Sequence, residues 1–133
     1  MGDYVITAEE LAAGKRFDDV IVHKAEFIVD IHNPAGAGQA ESKIQYVKPY
    51  DLPYRCFVPR HIENLYVAGR CISGTHRAHA SYRVMSICMA MGEAVGIAAS
   101  LCAKKKCTPR TLDVHELQNC MTSKGIDLFS RTF

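Results

Sequence analysis

The 133-residue sequence has no CxxC pair, no GxGxxG fingerprint, no internal repeat and almost no net charge, a formal +2. Each absence removes a class of function. So small an excess of cations gives no footing for a nucleic-acid partner, and the one basic run, Lys104-Lys105-Lys106, falls where a helix ends and complements its dipole. Without a CxxC pair the case for a structural zinc site is weak, so the six cysteines are expected as reduced thiols, Cys88 and Cys102 inside an apolar helical stretch. Residues 33–38 contain a GxG, but Glu41 stands where a dinucleotide fingerprint needs its third glycine, so they read as a loop. Asp3, Glu9 and Glu10 interrupt any signal-peptide core, and a reducing, cytoplasmic setting is expected.

What is present is ordinary globular material, 48% apolar and 23% charged, enough for one domain with a real core. Thr7 and Glu10 form a capping-box pattern before Leu11, with Gly14 as a stop, which predicts a short helix over residues 8–13. Residues 19–23 and 26–32 read as strands joined through Lys24-Ala25, and residues 43–48 alternate like a third. Pro49, Pro53 and Pro59 are expected to hold residues 54–58 extended, and residues 64–68 to form an interior strand. Residues 84–103 are apolar on nearly every face, with Gly92, Gly96 and Ser100 on one side. A membrane span must be weighed here, but Glu93 near the middle would cost about 2.5–3.5 kcal/mol in lipid, so a buried central helix packed on a sheet is expected. Asp113 caps a last helix, with Val114, Leu117 and Met121 on one face and Gly125 as its stop.

The chemistry gathers in residues 64–93. Strand, Gly69, polar loop and apolar helix is the order of a βα unit, whose ligands bind beyond the carboxyl end of the strand. Between Glu63 and Glu93 there is no carboxylate, while Arg70, His76, Arg77, His79 and Arg83 supply positive or donor groups and Ser73, Thr75, Ser81 and Tyr82 supply hydroxyls. The helix starting near Met85 adds unpaired amides and a partial positive charge, so an anionic or electron-rich ligand is the natural partner. His76 and His79 form an HxxH without a nearby acidic ligand, and no metal site is expected there.

NLYVAGR followed by GTHRAHASYRVMSICMAMGEAVGIAA resembles the C-terminal segment of the FAD-dependent oxidoreductases, of the type with an AGRCIS element and an RVM helix start. IVDIHNP, YDLPYRCFVPRHIENL and TPRTLDVHELQ resemble the same family in the same order. The resemblance implies FAD as cofactor and an α/β fold, an incomplete Rossmann-like FAD-binding fold with a β-rich substrate side. Residues 1–58 would be the helix and substrate-side strands, residues 59–133 the C-terminal part of the FAD domain. It places Gly69 and Arg70 near the ribityl and pyrophosphate groups and Ser81, Arg83, Val84 and Met85 by the flavin, with His32, Arg55 and His76 as catalytic candidates. Arg70 replaces the acidic residue that related flavoproteins often use for the ribityl hydroxyls, and Ser86 stands where proline is expected. The absent fingerprint implies a partner segment carrying GxGxxG, an inactive isolated chain acting on an unknown small molecule only with that segment, and self-association through uncovered apolar surface. The alternatives are a non-catalytic anion- or phosphate-binding module and a membrane-anchored helix-pairing protein.

Overall fold

The computed structural model describes residues 1–31 and 45–130. Helix α1 (Ala8–Ala13) is built as its capping box demands: the Thr7 hydroxyl accepts from the Glu10 amide, the Glu10 carboxylate accepts from the Thr7 amide, and Gly14 ends the helix at φ +65°. Lys15 and the Tyr4 hydroxyl close on the same carboxylate.

Strands β1 (Val20–Ala25) and β2 (Tyr50–Pro53) pair antiparallel, Val20 opposite Pro53 and Ala25 opposite Tyr50, with two register shifts between. Residues 19–23 and 26–31, expected to lie in two strands joined through Lys24-Ala25, do not pair with each other. Lys24 adopts φ +53° and turns the chain away, and from residues 26–31 only Val29 pairs, with Gln45. The loop at residues 33–38 lies outside the described residues.

Two other expected extended segments also fold differently. Residues Tyr54–Phe57 wind into a 3₁₀ turn instead of running on from Pro53. The Tyr54 amide donates to Asp19 O at 2.7 Å, and the turn buries Tyr54, Cys56 and Phe57 together, which an alternating strand cannot do. Residues 64–68 are irregular, with a single backbone bond from the Val67 amide to Phe57 O. A strand needs a neighbour to complete its ladder, and none lies beside this segment among the described residues. The fold is thus mixed helix and strand, with helix predominating.

The polar stretch after Gly69 is more ordered than a loop. A 3₁₀ turn at Gly69–Cys71 leads to helix α2 (His76–Tyr82), capped by Thr75, whose hydroxyl accepts from the Ala78 amide. Helix α2 buries Ala78, Ala80, Ser81 and Tyr82. The first six residues run between two later segments. Asp3 and Tyr4 donate to Val58 O and Arg55 O, while Ile6 donates to Ser73 O and accepts from Thr75.

Helix α3 (Met85–Lys105) buries one seam, Ile87, Met91, Ala94, Ala98 and Cys102, against β1, α4 (Val114–Ser123) and the Gly69 turn. It is not the deeply embedded helix expected. Only 28% of its most apolar stretch is buried, and Met85 and Met89 are 80% and 75% exposed. With one two-stranded ribbon among the described residues, protein covers α3 along that seam and leaves Gly92 and Gly96 facing open space. At 21 residues and a mean hydropathy of 1.6, α3 is long and apolar enough to cross a membrane by length and composition.

Helix α4 follows expectation, with Asp113 accepting from the His115 amide and Gly125 at φ +86° beyond its end. Its buried face includes Gln118, whose amide donates to Asp18 O at 2.7 Å and Val20 O at 3.0 Å and so ties α4 to the start of β1.

Candidate functional site

The junction between α2 and α3 is set by two backbone reversals. Arg83 ends α2 in helical conformation, Val84 turns extended at φ −73° and ψ 152°, and Met85 opens α3. Val84 provides no side-chain cap, and the first intrahelical bond runs from Cys88 N to Val84 O at 3.0 Å. The Met85, Ser86 and Ile87 amides consequently have no acceptor within the helix. They open beside a groove of about 460 Å³ lined by Arg70, His79, Arg83, Val84 and Met85, with Phe27 and Asp30 on its other side.

Hydrogen bonds fix the groove. Arg70 Nε donates to Arg83 O at 3.4 Å, and Arg83 Nη2 donates to Asp30 O at 2.8 Å with the Asp30 carboxylate at 4.0 Å. Gly69 holds φ +72°, which carries the chain into the turn that presents Arg70. The His79 ring stands edge-on to Tyr82, and desolvation, followed by the charges of Arg83, His76 and Arg70, holds its pKa below the usual histidine value. A neutral imidazole between two guanidinium groups is an acceptor as well as a donor.

Of the residues singled out in the sequence, Arg70, Arg83, Val84 and Met85 meet in this groove, with Gly69 one residue away. Ser81 is buried beneath it, donating to Phe27 O and paired with the Tyr50 hydroxyl at 2.9 Å, so its hydroxyl is engaged within the protein. Arg55 lies elsewhere. It forms a two-point ion pair with Asp19, Nε to Oδ2 at 2.8 Å, and covers the Tyr4 ring, lining a different groove with Phe17 and His115. His76 is exposed on the first turn of α2, and His32 lies outside the described residues. Among the described residues no cluster of three histidine, cysteine or acidic groups could hold a metal. Phe27 and Asp30 were not legible as site residues, because the turn at Lys24 brings them in from 40 or more positions away without a local motif.

The groove brings together uncapped helix amides, two arginines, a neutral imidazole, and an aromatic and a thioether at its rim. The described residues contain nothing comparable for an ADP pyrophosphate, which needs a glycine-rich strand-to-helix turn. Such donors suit an anionic or electron-rich group. The family model of the FAD-dependent oxidoreductases matches residues 1–121, and the chain belongs to that family, whose cofactor is FAD. No curated protein and no solved structure matches the chain.

Proposed function

We propose that this chain supplies the isoalloxazine and ribityl side of the FAD site of a longer oxidoreductase, and that a second segment carrying GxGxxG completes the cofactor pocket. The observation behind this reading is the uncapped start of α3 opening into the groove between Arg70 and Arg83. When bound, the flavin accepts a hydride or electrons from the substrate; the chain's part is to bind and bias it. The α3 amides would favour whichever form of the bound group carries negative charge beside them. A helix end contributes about 0.3–2 kcal/mol, which for a two-electron couple is a few tens of millivolts by the relation of about 30 mV to 1.4 kcal/mol. The open side of α3, with Gly92 and Gly96 free of neighbours, gives the second segment a face it can approach closely.

A non-catalytic phosphate module is the competing reading, and Asp30 weighs more against a phosphate of nearly two charges than against a singly charged ring. A carboxylate 4.0 Å from Arg83 already offsets part of the charge that a phosphate would need. Titration of the purified chain with riboflavin, which has no phosphate, and separately with inorganic phosphate distinguishes the two. Riboflavin fluorescence is expected to be quenched weakly, less so in Arg83→Gln, and FAD, which carries the pyrophosphate that riboflavin lacks, is expected to stay bound through gel filtration only when a GxGxxG-bearing segment is co-expressed. Phosphate binding with no response to riboflavin under either condition would overturn the flavin reading.

A further inference from the structure

Helix α3 stops without a glycine. Lys106 takes the left-handed conformation, φ +54°, and both its amide and that of Cys107 donate to Cys102 O, the latter at 3.1 Å. This is the Schellman stop, which folds the residue after the left-handed one back against the residue four before it. Those two residues are Cys107 and Cys102. Both thiols are free, and both side chains line one cavity. A CxxC search passes over the pair because the contact comes from the stop and not from adjacent turns.

The surroundings separate the two thiols. Cys102 is 6% exposed and packed in the core, whereas Cys107 is half-buried. Both open on a cavity of about 550 Å³ whose wall also carries Asn64, Tyr66, Ala99 and Lys106. On the inner side a chain of hydroxyls leads away from Cys102. Tyr54 donates to Pro109 O at 2.7 Å, which leaves its oxygen to accept from Tyr66, and the Tyr66 oxygen lies 3.3 Å from Cys102 Sγ as acceptor for the thiol. Burial pushes the Cys102 thiol up, so it is a poor first nucleophile. Three of the other four cysteines are placed differently: burial pushes Cys56 up to about 12, and the Cys71 and Cys88 thiols donate to Ala68 O and Tyr82 O.

We propose that Cys102 and Cys107 form a thiol–disulfide exchange site whose oxidant is a low-molecular-weight disulfide entering the cavity beside Lys106. The Cys107 thiolate attacks one sulfur of the small disulfide, breaking its S–S bond and releasing one small thiolate, which takes up a proton. Cys102 then gives up its proton and attacks the Cys107 sulfur, forming the internal disulfide and releasing the second small thiol. Two protein thiols and one small disulfide become one protein disulfide and two small thiols, so atoms and electrons balance. Lys106 on the cavity wall suits a carboxylate-bearing oxidant such as oxidised glutathione. This site does not depend on the flavin reading.

The full chain is equilibrated in glutathione buffers of increasing oxidation, quenched in acid, and analysed by intact mass and peptide mapping, with circular dichroism to confirm folding. The expected product is an internal disulfide joining Cys102 to Cys107 in the folded wild-type chain. Cys102→Ser is expected to retain glutathione on Cys107, because the resolving thiol is gone, whereas Cys107→Ser loses both adduct and bridge there. Full alkylation of both wild-type thiols across the whole buffer range, a bridge between other cysteines, or identical products from the two serine variants would overturn the proposal. If a variant fails to fold, wild-type mapping alone decides.

Discussion

Gly74 is a sharper test of how the groove is supported than the more conspicuous Gly69. A methyl at position 74 would lie 2.6 Å from the Tyr82 hydroxyl, 2.8 Å from Tyr82 Cε1 and 3.1 Å from Ile6 Cγ2. None of these atoms can move cheaply, since Tyr82 and Ile6 are 1% and 0% exposed. A methyl at Gly69 would meet only Cys88, at 3.8 Å, and its cost is the left-handed backbone. Overpacking at Gly74→Ala should therefore cost about 2–3 kcal/mol, against about 1–2 kcal/mol for Gly69→Ala. At about 2.1 cal/mol/K of unfolding entropy per residue, the larger loss lowers Tm by roughly 7–11 °C. Urea unfolding of both variants, with Tyr82→Phe and the Gly74→Ala/Tyr82→Phe double variant, completes the experiment. The phenylalanine removes the hydroxyl contact but leaves the ring carbon, so the double variant should recover only part of the loss, as a coupling of about 0.5–3 kcal/mol. If Gly74→Ala stays within about 0.5 kcal/mol of wild type, or falls below Gly69→Ala in cost, the close packing of Tyr82 on the 73–75 segment is wrong.

Gln118→Leu strips the carbonyls of Asp18 and Val20 of a donor in the buried contact between α4 and β1. A loss of about 2–4 kcal/mol is expected in denaturant unfolding, from hydrogen bonds of about 1 kcal/mol each plus the unmet carbonyls; a neutral result would mean water replaces the amide. His79 has its folded pKa below the unfolded value near 6.5, so in that window the unfolded chain binds more protons and stability rises with pH. Its contribution is present above the unfolded pKa and is lost as pH falls through the folded one. Wild type should accordingly lose more stability between neutral and mildly acidic pH than His79→Gln, and equal denaturation-midpoint slopes for the two would show that His79 does not sense its cationic neighbours.

Local chemistry was readable wherever one short stretch contains its own instructions. Thr7, Glu10 and Gly14 define α1, and Asp113 with Gly125 defines α4, because each cap is satisfied by atoms within a few residues. The start of α3 at Met85 was legible from the change from polar to apolar residues, and with it the three groove residues clustered there, Arg83, Val84 and Met85. Reading failed where tertiary partners decide. Residues 54–58 look extended between prolines, yet burying Tyr54, Cys56 and Phe57 on one side requires a tight turn. Residues 64–68 are strand-like in composition but have one ladder bond. Helix α2 was hidden among arginines and histidines whose charged ends face outward while Ala78 and Tyr82 pack inward. Asp30 could not be assigned to the site at all, since only the reversal at Lys24 delivers it.

The course of residues 1–6 has a mechanical consequence. Clamped between Arg55–Val58 on one side and Ser73–Thr75 on the other, with a methyl on Gly2 only 2.8 Å from Ser73 Cβ, this strip acts as a spacer that sets how far apart those two stretches stand. Because Thr75 caps α2, trimming or tugging the amino end would be transmitted within two peptide units to the helix that carries His79 and Arg83.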